Sequence, residues 1–397
     1  MQRIAMLGSG FIGRFYAESI QGYRSKDKIV SNYSRREESA KKFAEDYHVE
    51  HWTTDMEEAI AHPNVDVVCI ALPNNLHEPA VMLCCKHKKA VIMTKPLGRN
   101  GAEAKRMMDA AESAGIFNGY LEDLVYTPKF LKAFESVKNG ALGRILWAKS
   151  RETHPGPHSD WFWDIEQAGG GCMLDLGCHC VEITRSYIGK DIKPVEVTCW
   201  ADTQVKPIDA EDHAIALIKY ENGAIAQFET SWTFRGGLDL RDEVMGTEGT
   251  IWINTFLRTG FEMFTTGKGA DYVAEKAESN TGWLFPVGDE MNELGYNHMF
   301  MDMFNSIEQN KAPKENFYDG YVVNCVLDAA YRSAKSKLWE PVILDTWRGR
   351  TGVTKDSHLV EYDKDHYLVK EEMTHYGAKK IILKNKKTNK IIEKVLE

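Results

Sequence analysis

Arg3-Ile4-Ala5-Met6-Leu7-Gly8-Ser9-Gly10-Phe11-Ile12-Gly13 is the stretch that decides the fold. A short apolar strand runs into Gly-x-Gly-x-x-Gly, and a helix-compatible stretch continues to about Tyr23. The first glycine permits the tight turn, the second lets backbone approach a pyrophosphate, and the third allows close helix packing. The N-terminus of the following helix favours the anion. A glycine turn by itself is common; strand, turn and helix in this order predict dinucleotide binding.

Outward from this turn the alternation continues. A strand at Lys28 to Tyr33, a helix at Glu37 to Tyr47, a buried-type strand at Val65 to Leu72, a helix from about Glu78 and a strand at Ala90 to Thr94 predict a parallel, doubly wound α/β sheet. After about Asp123 and a helix at Pro128 to Lys138 the texture changes. Period-two segments at Glu196 to Asp202, Asp212 to Tyr220, Ala224 to Thr233 and Gly249 to Asn254 predict antiparallel strands, with a hairpin turn at Asn222-Gly223. Helices are expected at Asn297 to Asn310 and Gly320 to Lys337, and a hairpin at Lys384 to Lys394.

Composition sets the outer limits. A chain of 397 residues, 43% apolar and 27% charged, exceeds one comfortable hydrophobic core, so two domains are expected. No apolar run reaches the length of a membrane span, and the strand at Arg3 leaves no room for a signal peptide, so a cytoplasmic protein is expected. The net charge of −9 (49 basic, 58 acidic residues) argues against nucleic-acid and membrane partners. Eight cysteines without an export signal read as reduced thiols. Ala378 to Glu397 is basic, with seven lysines against two glutamates, and its Lys384 to Lys394 charges are expected to be a solvated face.

At the end of the second strand an acid would hold a ribose 2′-hydroxyl, but Tyr33-Ser34-Arg35-Arg36 stands there. Arginine suits a 2′-phosphate, so the cofactor is NAD or NADP with a lean to NADP through Ser34 and Arg35. A second chemical centre follows Gly169-Gly170-Gly171. If Cys172 to Ile188 is helical, Asp175 and His179 share a face, with Glu182 and Ser186 extending it. Histidine titrates near neutrality and can take a hydroxyl proton while hydride leaves the same carbon. Cys172, Cys178, His179 and Cys180 invite a zinc reading, yet Cys178 and Cys180 are two apart and point to different faces, so no metal is expected.

Four motifs in order give the chain a resemblance to the Gfo/Idh/MocA oxidoreductases, the relatives of glucose-fructose oxidoreductase and inositol dehydrogenase. They are Gly8 to Gly13, Leu72-Pro73-Asn74-Asn75-Leu76-His77, Thr94-Lys95-Pro96, and the glycine run leading into Asp175, Gly177 and His179. The resemblance covers about residues 1–345. It implies a Rossmann domain over 1–122, a substrate-binding and oligomerisation α/β domain with a large open, mainly antiparallel sheet over 123–345, an extension over 346–397, and a cleft between the two domains. It implies a homodimer or homotetramer.

The cofactor residues expected from the turn and the resemblance are Gly8, Gly10, Phe11, Ile12, Gly13, Ser34, Arg35, Leu72, Pro73, Asn74, His77 and Lys95. Thr94-Lys95-Pro96 looks like the family's Glu-Lys-Pro, whose lysine reaches the substrate hydroxyl and the nicotinamide ribose; threonine here removes a carboxylate that could hold it. The expected catalytic residues are Lys95, Asp175 and His179, with Asp175 orienting the sugar or the base. His154, His158, Asp160, Trp161 and Trp163, in a segment dense in aromatics and hydrogen-bonding groups, look like the family's substrate loop. Together with Asp175 and His179 they form the expected substrate set; Trp232, Arg235 and Asp239 are further candidates.

The implied activity is NAD(P)-dependent oxidation of a ring hydroxyl of a small carbohydrate, polyol or glycoside. Two alternatives stand beside it: a glycosidase-like enzyme that oxidises C3 transiently with retained NAD, and a non-catalytic dinucleotide sensor. Net cofactor reduction separates the first, and Lys95, Asp175 and His179 together argue against the second.

Overall fold

The computed structural model describes residues 1–24, 26–256, 261–266, 273–355 and 359–396. Strands β1 (Arg3–Leu7), β2 (Lys28–Tyr33), β3 (His51–Thr53), β4 (Val67–Ile70), β5 (Ala90–Thr94) and β6 (Asn118–Leu121) form one parallel sheet. Its order is β3-β2-β1-β4-β5-β6. Ile4 to Leu7 and Val67 to Ile70 are fully buried, which is why both strands read as continuous apolar runs rather than as alternating ones. The strand order reverses between β1 and β4, so the turns leaving these two strands lie side by side, where α/β sheets bind ligands. Gly8 has φ +110°, and a Cβ there would stand 2.1 Å from the Ala71 carbonyl oxygen, so only glycine fits.

The second sheet comprises β7 (Ile145–Thr153), β8 (Pro194–Asp202), β9 (His213–Tyr220), β10 (Ile225–Ser231), β11 (Asp239–Gly246) and β12 (Thr250–Asn254). A short hairpin, β13 (Met263–Thr265) with β14 (Gly282–Leu284), stands apart, and β15 (Glu340–Pro341) completes the order β12-β11-β7-β10-β9-β8-β15. Two of these strands carry no clear period in the sequence. On β7 the buried positions are Ile145, Ala148, Ser150, Glu152 and Thr153, and between them Trp147, Lys149 and Arg151 face the other way, so apolar alternation is lost. On β11 Asp239 and Asp242 are buried. The sheet is mainly antiparallel, as expected; among the described residues its one parallel pair lies at the centre, where β10 runs alongside β7 from Ile225 opposite Trp147 to Ser231 opposite Thr153.

One face of this sheet is covered by helices α1 (Gly177–Ile188) and α2 (Phe317–Ser336). The other face presents Trp147, Trp200, Ile215 and Trp252, the last 71% exposed. From Gly352 onward the chain forms a separate unit: an antiparallel sheet of β16 (Val360–Glu361), β17 (His366–Met373), β18 (Lys379–Asn385) and β19 (Ile391–Leu396). Before the Lys384 to Lys394 stretch, Lys379 pairs with Glu371 and Lys380 with Glu393, both at 2.7 Å. Among the described residues no helix is long and apolar enough to cross a membrane. All eight cysteines are free.

Candidate active site

The turn after β1 opens into a cavity of about 750 Å³. The helix Phe11–Tyr23 starts at Gly10, whose backbone is extended and whose side-chain position is open: a Cβ there meets nothing within 4 Å. No side chain caps the helix start, leaving its first N–H groups for an anion. Gly13 differs, since a Cβ on it would strike the Gly8 carbonyl oxygen at 2.4 Å. It serves packing, as the third glycine of such a turn should. Gly8, Gly10, Phe11, Ile12, Ser34, Arg35, Leu72, Pro73 and Asn74 all line the cavity, and the Ser9 hydroxyl donates to Ser34 Oγ at 2.8 Å. These groups suit a dinucleotide: an open glycine for the pyrophosphate, hydroxyls and arginines at the end of β2.

The expectation for His77 is corrected. It is fully buried and does not line the cavity, its two ring nitrogens facing the carbonyls of Leu72 (3.0 Å) and Leu97 (3.3 Å). Burial lowers its pKa, and the neutral ring, with a single N–H, donates to one of these two carbonyls.

At the other end of the cavity Lys95 Nζ donates to Asp175 Oδ1 at 2.7 Å and to the Asp175 carbonyl at 2.8 Å. Trp232 Nε1 donates to the second carboxylate oxygen at 3.1 Å. Burial works against both charges, yet each protects the other: Lys95 is held well above the ordinary lysine range, and Asp175 is brought down to about 2. Asp175 thus holds Lys95 through both its side chain and its carbonyl. Thr94 instead accepts a hydrogen bond from Tyr16 at 2.9 Å.

The Asp175–His179 pairing predicted from helical spacing does not form. Leu176 separates a short turn, Cys172–Asp175, from α1, and the two side chains turn to different partners. His179 Nδ1 is hydrogen-bonded to Glu122 Oε1, a residue just beyond β6. Burial raises Glu122 to about 8 and pushes His179 down to about 3, with Lys95 reinforcing the second shift. Glu182 does not extend the face either; it is buried in an ion pair with Arg185 at 2.7 Å.

His154, His158, Asp160 and Trp161 line the cavity. His154 is buried and strongly depressed by that burial, with Lys276 adding to it, and accepts the Gly156 N–H at 2.9 Å. The expectation for Trp163 is corrected: it packs edge-on against the buried Trp232 at 5.4 Å, behind the lining. Arg235 pairs with Glu278, and Asp239 with Arg151 and Arg241, so neither enters the cavity. The cysteines diverge, Cys172 toward Thr230 and Cys178 toward the Asp175 carbonyl, although Glu122, Cys178 and His179 converge to within 4.8 Å. Sequence reasoning missed Glu122, Asp123, Glu152, Glu275 and Lys276, all in or beside the cavity. Glu152 was hidden by the weak period of β7, and Glu275 and Lys276 lie in a stretch without a motif.

Comparison with known proteins gives the following. The family model described as "Oxidoreductase family, NAD-binding Rossmann fold" of the GFO/IDH/MocA group matches residues 2–119, and the model for the group's C-terminal domain matches residues 130–252. Myo-inositol 2-dehydrogenase of Thermotoga maritima is 30% identical over 264 residues, 65% of this chain and 76% of that protein. Levoglucosan dehydrogenase of Pseudarthrobacter phenanthrenivorans is 26% identical over 385 residues, 85% of this chain and 97% of that protein. The crystal structure of GenD2 from gentamicin A biosynthesis, in complex with NAD, is 30% identical with a TM-score of 0.81, covering 87% of this chain and 97% of its own.

Proposed function

The chain belongs to the Gfo/Idh/MocA family of NAD-binding oxidoreductases, and on that premise we propose that Lys95 and His179 act in oxidation of a ring hydroxyl of a sugar, polyol or glycoside. The observation that carries this reading is that Lys95, Asp175 and His179 line the same cavity as Gly8, Gly10 and Arg35. Nicotinamide dinucleotide, when bound, supplies the hydride acceptor. His179, its Nδ1 engaged by Glu122, offers Nε2 to the substrate hydroxyl proton. Lys95, kept cationic by Asp175, steadies the negative charge that develops on the substrate oxygen. His154, His158, Asp160 and Trp161 receive the rest of the ring, the aromatic face stacking on C–H surfaces.

Inositol and levoglucosan dehydrogenases among the relatives support a small hydroxylated substrate. A panel of sugars, cyclitols and glycosides incubated with NAD and NADP tests the reading through the absorbance of the reduced nicotinamide. Turnover of a glycoside without net reduction would overturn it in favour of the glycosidase-like alternative.

The finer cofactor preference is for NADP, supported by Arg35 and Arg36 at the cavity edge beside Ser34. Gly10→Val is expected to leave the melting temperature unchanged, because space is open at that position, and to abolish detectable nucleotide binding in calorimetry. In the parent protein NADP should bind more tightly than NAD; the reverse order would leave the arginines as surface charge.

We further propose that the tryptophan-bearing face of the second sheet pairs with another copy of the chain. Isolated exposed apolar residues are ordinary, but Trp147, Trp200, Ile215 and Trp252 share one face. Light scattering at micromolar concentration should show a dimer or tetramer, and Trp252→Glu should shift it toward monomer.

A further inference from the structure

Two carboxyl groups at the substrate end of the cavity have no ion-pair partner of their own; Lys95, already paired with Asp175, acts on both only from beyond contact distance. Asp175 is neutralised by Lys95 at 2.7 Å, Glu275 by Lys276 at 3.2 Å, and Glu122 is engaged by His179. Asp123, 5% exposed, and Glu152, 7% exposed, line the same cavity. Among the described residues no lysine, arginine or histidine stands within ion-pair distance of either one. Glu152 Oε2 is moreover buried without a hydrogen-bond partner.

Glu152 is held firmly in this position. Its backbone lies in the middle of the sheet, opposite Thr230 on β10 and Leu240 on β11. An uncompensated carboxylate taken out of water is costly, so such a group either keeps its proton or receives a cation. Burial raises both, Asp123 to about 7 and Glu152 well above the usual carboxylate range. His154 and His158 do not supply the charge, because burial and Lys276 drive both toward the neutral form. A polyol hydroxyl brings a donor without charge, whereas an ammonium group brings three donors and the missing charge together.

We propose that the substrate carries a basic nitrogen on its ring, an amino or alkylamino group, received by Asp123 and Glu152. This rests on the dehydrogenase reading of the same cavity and narrows its substrate class.

The test uses the whole chain with NAD and, in parallel, NADP, and matched pairs: glucose against glucosamine, and scyllo-inositol against scyllo-inosamine. In at least one pair the amine is expected to exceed its hydroxyl partner in kcat/KM by about 10- to 100-fold, the worth of charge-assisted hydrogen bonds. Glu152→Gln and Asp123→Asn, both near-isosteric, should remove most of that preference by raising KM for the amine, while the NAD dissociation constant holds. Calorimetry in two buffers of different ionisation enthalpy should show protons released when the amine binds, as the two carboxyl groups ionise. Equal kcat/KM within every pair, with equal losses in the variants, would overturn the inference: the acids would then serve hydroxyls. Weakened NAD binding in Glu152→Gln would also overturn it, assigning the acid to the nicotinamide ring. Selective amine binding with proton release but no nicotinamide reduction would uphold the amine site and overturn the dehydrogenase reading instead.

Discussion

His179→Ala should lower kcat by about 100- to 10,000-fold, the usual contribution of a positioned general base, with nucleotide binding unchanged in calorimetry. The structure adds a partner to this expectation. With Nδ1 bonded to Glu122, Nε2 is the atom left for the proposed proton transfer, and its state depends on that carboxyl group. While Glu122 keeps its proton it donates to Nδ1, the imidazole proton sits on Nε2, and no lone pair faces the substrate. Once Glu122 ionises, Nδ1–H donates to the carboxylate and Nε2 is free. Oxidation should therefore rise with pH and level off above about 8, where burial has moved Glu122. Glu122→Gln keeps the shape but donates permanently to Nδ1, so it should approach the loss of His179→Ala and erase the rise with pH. A Glu122→Gln enzyme with the parent's rate and pH profile would show that the carboxyl is only structural.

Lys95→Ala should be comparably damaging, for a different reason. The ammonium group acts where negative charge develops on the substrate oxygen, so kcat and kcat/KM should fall together. It also neutralises Asp175, which would be left buried with the Trp232 N–H as its remaining side-chain donor. Breaking one side of a buried ion pair costs about 3–5 kcal/mol, so the variant should also melt at a clearly lower temperature. The double variant Lys95→Met with Asp175→Asn separates the two effects: stability should largely return, and activity should not. Recovery of activity in the double variant would show that Lys95 serves the fold alone.

The sequence by itself determined the nucleotide-binding half. Gly8, Gly10 and Gly13 stand next to the strand and helix whose geometry they serve, so spacing along the chain is spacing in space. Strands such as β1 and β4, buried on both faces, announce themselves as unbroken apolar runs. Lys95, Asp175 and His179 were legible as candidate site residues, since their types and motifs are local, and all three line the cavity. What they touch was not. A four-residue interval implied that Asp175 orients His179, but the break at Leu176 turns them apart. The tertiary structure instead brings Lys95, just past the end of β5, to Asp175, 80 residues away, and Glu122 to His179, 57 residues away. Likewise Glu152 stood on a strand whose buried face is small and polar, so no period marked it. Local patterns report which face of an element is buried, because that is set by neighbours three, four or two positions away. The partner of a buried charge is set by which loops the sheets bring together, and only the folded chain decides that.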